Sequence, residues 1–195
     1  MKRMLFALAT LATIALPAAA QEVGRTEWNG YDVVLNADQS WYFDCGGYGA
    51  TLSQTIRMAF CFDPAVWDAG EASNDQEFMF LSKDGSTGLI VIPDAQIYDM
   101  QSLHAAVPVS AAQNGQTTVE QINASEAPPV EINGRTWVGT RYQLNVEGNA
   151  FSYLDYHLSA DGLGTAQLIL WTLPGEEARS TERAMTLLSQ VIYGN

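Results

Sequence analysis

From Glu131 to Tyr193 the sequence alternates polar and apolar side chains through three runs, then changes to the period of a helix. The runs are punctuated by Asn133-Gly134, by a turn around Gly148-Asn149, and by Asp161-Gly162-Leu163-Gly164. Period-two alternation marks a strand with one buried face, and Asn-Gly suits the two left-handed residues of a tight hairpin. This stretch predicts antiparallel strands over Val130 to Ile132, Arg135 to Val146 and Thr165 to Thr172, with a further strand between the last two. A helix follows from about Gly175 to Tyr193, with Glu176 and Glu177 in its first turn, where the macrodipole favours anions.

The turn around Gly148 decides which side chains share a face, because a one-residue slip moves every side chain to the other side. A two-residue loop in the register setting Tyr142 opposite Asp155 mixes polar and apolar residues on both faces. A three-residue loop places Leu144 opposite Leu154 and Tyr142 opposite Tyr156, which separates them. The separated register predicts that the Ala184, Leu187, Leu188, Val191 stripe of the last helix packs on Tyr142, Leu144, Leu154, Leu158 and Leu168. The other face then carries Arg141, Gln143 and Asn145 beside Tyr153, Asp155 and His157, beside Gln167, Ile169 and Trp171. A cation, a carboxylate, an imidazole and aromatic rings on adjacent strands form a candidate recognition surface.

Upstream, Tyr31 to Leu35 and Ser40 to Asp44 flank a turn and predict a hairpin. Arg57 to Phe62 reads as a strand, and Ala65 to Asp75, with Trp67, as a turn or short helix. Phe78 to Ser82 and Thr87 to Ile92 flank Lys83-Asp84-Gly85-Ser86, a second hairpin signal. Asp94 is placed to cap a helix whose stripe is Ile97, Met100, Leu103, His104 and Val107, and Pro108 is placed to stop it. Thr117 to Asn123 reads as a weak strand, and Pro128-Pro129 as a bend. The fold class is α+β, an antiparallel sheet flanked by helices.

Residues 1–20 carry Lys2 and Arg3, an apolar run from Met4 to Leu16, and Ala18-Ala19-Ala20. That is the pattern of a secretory signal peptide. Its removal leaves one expected domain over 21–195: an N-terminal hairpin and Gly-rich loop over 21–56, and the main core over 57–193. No other run has the ~18 apolar residues of a membrane helix. The expected location is periplasmic or extracellular, without membrane insertion. Loss of the signal, with Lys2 and Arg3, takes the net charge from −13 to −15. Such a charge repels nucleic acid and anionic headgroups, so the expected protein or small-molecule partner in the envelope is cationic if it is charged. Cys45 and Cys61 predict a disulfide in such a compartment.

The sequence carries no catalytic motif. His104 and His157 are its two histidines. Neither belongs to an HExxH or cysteine-rich metal pattern. No GxSxG elbow is present, Gly46-Gly47-Tyr48-Gly49 precedes no P-loop lysine, and no cofactor motif appears. Trp28, Trp41, Trp67, Trp137 and Trp171 read mainly as core or boundary rings. A non-catalytic binding, accessory or assembly protein is expected, with a small hydrolase working from the sheet face as the alternative.

Three segments carry a family resemblance: Phe60-Cys61-Phe62-Asp63-Pro64-Ala65-Val66-Trp67; Phe78 to Ile92 with its helix; and Ile132-Asn133-Gly134-Arg135 through Ala166-Gln167-Leu168 to the last helix. In this order they resemble the PsbP-like family over about Arg57 to Tyr193. The resemblance implies an antiparallel sheet flanked by helices and accessory, binding or assembly roles, with no shared catalytic residues. The N-terminal hairpin falls outside it.

Overall fold

The computed structural model describes residues 21–28, 31–39, 41–71, 76–146 and 148–193, so the expected signal segment lies outside the described residues. Among them the strands form three sheets. The largest has seven antiparallel strands, in the order β6 (Trp67–Glu71), β7 (Phe78–Ser82), β8 (Thr87–Asp94), β12 (Gly164–Thr172), β11 (Asn149–Ala160), β10 (Arg135–Val146) and β9 (Ser125–Ile132). A small sheet joins β13 (Val191–Tyr193), β5 (Met58–Phe62) and β4 (Gly49–Leu52). An N-terminal meander joins β1 (Glu22–Trp28), β2 (Tyr31–Asn36) and β3 (Trp41–Phe43), adding one strand to the expected hairpin. The Ser40 end of that hairpin lies outside the described residues.

Helix α1 (Met100–Asn114) and the short α2 (Val119–Ile122) pack on β10 and β11 on one face of the large sheet, and α3 (Glu177–Leu188) packs on the other. We call these the α1 face and the α3 face. Met58 and Phe60 of β5 join the α3-face core, whereas Ala59 and Cys61 face the meander with Val33, Phe43 and Ile192. Strand β5 is therefore buried on both sides, as its burial pattern shows. A strand covered on both faces has no polar side to present, which explains why Met58-Ala-Phe-Cys-Phe62 is apolar without alternation. The Cys45–Cys61 disulfide ties the loop after β3 to this strand.

Several elements differ from the sequence reading. Trp67–Glu71 is a strand pairing β7, because Trp67 is buried in the α3-face core; residues 72–75 lie outside the described residues. The first long helix is capped by Asp99, whose carboxylate accepts from the Ser102 backbone N–H at 2.8 Å, while Asp94 accepts from the Gln96 N–H. Ile97 precedes this helix and is 54% exposed. Helix α1 continues through Pro108 because Val107 before it and Ala111 and Ala112 beyond it are buried. Thr117 to Asn123 contains α2 in place of a strand, and the Gln121 side chain accepts from the Thr118 N–H at 3.3 Å. Pro128 and Pro129 stay within edge strand β9, at a register shift. An edge tolerates the missing N–H donor. The last helix ends at Leu188, and Val191 to Tyr193 pair with β5 instead of extending the stripe.

Helix α3 is placed by polar contacts as well as by Ala184, Leu187 and Leu188. Arg183 donates through both terminal nitrogens to Asp84 in the β7–β8 turn, at 2.9 and 3.0 Å. Nearer its start the buried Ser180 hydroxyl lies 2.7 Å from Thr87 Oγ1 and 2.6 Å from Thr172 Oγ1. Asn133 and Gly134 both adopt positive φ. That is the backbone the tight turn requires. Asn133 Nδ2 donates to the carbonyls of Ser189 and Val191. The hairpin at the head of the C-terminal stretch thus holds its last strand.

Candidate functional site

The β10–β11 register sets the site. Val146 pairs with Asn149, Tyr142 with Tyr153, Thr140 with Asp155 and Val138 with His157. This matches neither register considered from sequence. Separating polar from apolar residues assumes that one face of the hairpin meets water, but here α1 and α2 cover β10 and β11 on the face opposite α3. Tyr142 and Leu144 therefore pack under α1 and α2 with Val107, Ala111 and Ile122, while Leu158 and Leu168 lie in the α3-face core with Leu187 and Leu188.

The seven candidate residues accordingly divide. Tyr153, Asp155, His157, Gln167 and Trp171 share the α1 face, since Asp155 pairs with Ile169, His157 with Gln167, and Tyr153 with Trp171. Arg141 pairs with Leu154 and Gln143 with Ser152, which puts both on the α3 face.

On the α1 face Asp155 and His157 form a buried pair with partly buried polar neighbours. Asp155 and His157 are each 2% exposed, with His157 Nδ1 3.3 Å from Asp155 Oδ1. Gln167 Nε2 donates to both Asp155 oxygens at 2.9 and 2.8 Å. From α1, His104 reaches down to Thr140 with 3.1 Å between Nδ1 and Oγ1, and its ring centre lies 6.3 Å from that of His157. Tyr142 stacks on Tyr153 at 5.0 Å, and burial pushes its phenol up, reinforced by the Asp155 and Tyr153 charges. Trp171 lies across Gly88, where an added Cβ would collide with the indole, and meets Phe151 edge-on. An Asp-oriented imidazole is the raw material of acid–base catalysis, but at 2% exposure neither group is open to a substrate.

On the α3 face there is open space. A groove of about 710 Å³ runs between the first turns of α3 and strands β9 to β12. Pro128, Val130, Leu154 and Leu170 supply apolar lining, and Arg141, Gln143, Ser152, Tyr156 and Glu177 supply polar groups. Tyr142 and Tyr153 also border it. The wall at Tyr156 depends on Gly139, where an added Cβ would collide with the Tyr156 ring. Burial raises the Tyr156 phenol, and the nearby Arg141 charge opposes that shift. Glu177 accepts from Ser152 Oγ at 2.8 Å and from the Gly175 N–H at 2.8 Å, and Gln143 Nε2 is 3.4 Å from the same serine. Its carboxyl is held below the usual range by its own backbone N–H first, then by Ser152 and Gly175.

No protein-family model matches the sequence, and no curated protein matches it. Among solved structures, that of cyanobacterial PsbP from Synechocystis sp. PCC 6803 aligns over 77% of this chain and 97% of its own, with a TM-score of 0.52 and 16% identity. The fold is PsbP-like. A crystal structure from Bacteroides thetaiotaomicron aligns over 76% of this chain with a TM-score of 0.51 and 10% identity, and the chain spans about half, 49%, of that protein's length. LpqN of Mycobacterium tuberculosis, a protein involved in cell envelope biogenesis, aligns over 76% of this chain and 86% of its own at 10% identity, with a TM-score of 0.41. At these identities the first two likenesses are ones of fold.

Within this PsbP-like sheet, sequence reasoning named Arg141 and Gln143 of the groove, with Tyr153 at its border, and did not name Ser152, Tyr156, Leu170 or Glu177. The missing signal was the register: with Gln143 opposite Ser152, the first turn of the last helix brings Glu177 to the same point. Among the described residues no group of three or more His, Cys, Asp or Glu side chains gathers as a metal site, and no helix is long and apolar enough to cross a membrane.

Proposed function

We propose that this protein is a non-catalytic binding or accessory module acting outside the cytoplasm, and that it holds its ligand or partner in the α3-face groove. The observation that carries this reading is the groove itself, which combines apolar walls with a few polar groups. Small-molecule sites are typically concave, several hundred cubic ångströms in volume, and lined in this mixed way. The Cys45–Cys61 disulfide and the signal-like residues 1–20 support an oxidising compartment such as the periplasm. Asp155 and His157 are buried together, which argues against the hydrolase alternative. General acid–base work needs hydrogen-bond contact with the reacting group.

The test is a thermal-shift screen of the mature chain against small amphiphiles, saccharides and peptides, run beside Ala178→Trp, which fills the groove from α3. A member that stabilises the parent chain and leaves Ala178→Trp unmoved supports the reading. Turnover of chromogenic esters or glycosides that vanishes in His157→Ala overturns it.

A further inference from the structure

Taking the groove as the binding site, we propose that it receives a small amphipathic monocarboxylate, its carboxylate on Arg141 and its apolar chain along Leu154, Leu170, Val130 and Pro128. The overall charge favours cationic ligands, and Arg141 is a local exception. The chain has 22 acidic residues against 9 basic ones, so its cations have an ample choice of carboxylates. Arg25, Lys83, Arg179 and Arg183 each hold one, and Arg135 lies over the Tyr193 ring. Arg141 donates its Nε to the Glu126 carbonyl at 3.2 Å and, among the described residues, pairs with no carboxylate. A guanidinium has five donors in a planar fork that matches a carboxylate, and this hydrogen bond uses one of them.

The surroundings narrow the ligand. Beside Arg141 the groove wall is apolar, from Leu154 directly across β11 and Leu170 across β12 to Val130 and Pro128 of β9. That lining suits an alkyl or aromatic body. Along β10 the groove turns polar through Gln143 and Ser152 and ends at Glu177. Strand residues two apart lie about 7 Å from each other on one face, so the cationic and anionic ends of the groove are distinct. The ionised Glu177 disfavours a second carboxylate on the ligand, which distinguishes a monocarboxylate from a dicarboxylate. Glu177 already accepts from Ser152 and Gly175, so it acts by its field while Arg141 makes the contact.

Calorimetric titration of the mature chain tests this, with sodium decanoate, decanedioate, decyltrimethylammonium and acetate as probes below their micellar concentrations. Decanoate should bind one to one, at least tenfold more tightly than decyltrimethylammonium or decanedioate and about 100-fold more tightly than acetate. Arg141→Ala should weaken decanoate at least tenfold and erase the preference over the cationic probe, with an unchanged circular dichroism spectrum. Glu177→Gln should narrow the gap between decanoate and decanedioate. Equal affinity for the anionic and cationic amphiphiles, or unchanged decanoate binding by Arg141→Ala, overturns the ligand class. So does an absence of decanoate binding. In each case the groove reading still stands if Ala178→Trp cancels the thermal-shift response to another ligand, and falls if it cancels none.

Discussion

The two faces of the seven-stranded sheet carry polar groups of similar chemistry in opposite states of access. Near α1, Asp155 and His157 are buried and Asp155 is the shared partner of His157 and the half-buried Gln167, with His104 and Thr140 bonded beside them. On the α3 side, Arg141, Gln143 and Glu177 line open space. Asp155, His157 and Gln167 of β11 and β12 share the α1 face, yet Arg141 and Gln143 of β10, with Ser152 of β11, reach the groove. Where helices pack on both faces of a hairpin, polarity along a strand does not identify the face that meets a ligand. Helix placement does, and α3 is held by Arg183 on Asp84 and by Ser180 between Thr87 and Thr172.

The largest expected effect tests the apolar side. Leu188 is buried in the α3-face core. Leu188→Ala should cost about 2–5 kcal/mol, read by urea denaturation. On the α1 side, Asp155 is the shared acceptor of Gln167 and His157. Asp155→Ala strips both of it and should cost about 1–3 kcal/mol. If Asp155→Ala were neutral, the cluster would be open to water and the contrast between the faces would fail. Smaller still is the effect of Arg141→Ala on stability, because that side chain is exposed. Such a surface change should stay within about 0.5 kcal/mol in the same urea measurement.

Acid sharpens the same contrast through the clamp on α3. Arg183 above all, then Ser82 and Ser86, hold the Asp84 carboxyl below its ordinary value. A carboxyl depressed in the folded state contributes stability above its unfolded pKa, about 4, and loses it as pH falls through the folded value. The melting temperature should therefore drop below about pH 4. Asp84→Asn should melt lower at neutral pH and lose less on further acidification. A parallel decline in both proteins would remove Asp84 from the explanation.

Local signals in the sequence carried much of the fold. Asn133-Gly134 and Lys83-Asp84-Gly85-Ser86 sit in the turns they predicted, and Ala184, Leu187 and Leu188 pack in one core with Leu158 and Leu168. The Cys45–Cys61 pair is bonded. What escaped depends on partners distant in sequence. Trp67 belongs to a strand because β7 and the core receive it, and α1 passes Pro108 because Val107 and Ala111, which flank it, are buried. The site suffered most, since its composition turns on the β10–β11 register. A glycine such as Gly148 fits several loop lengths equally well, and the choice among them lies in how α1, α2 and α3 pack on β10 to β12.

The most direct test of an open α3 groove beside a buried α1-face pair is a nitrogen–proton correlation spectrum of the labelled mature chain titrated with decanoate. The predicted result is saturable shifts at the amides of Gln143, Ser152, Leu170 and Thr181, with His104 and His157 unmoved. Shifts centred on His104, His157 and Asp155 would contradict it.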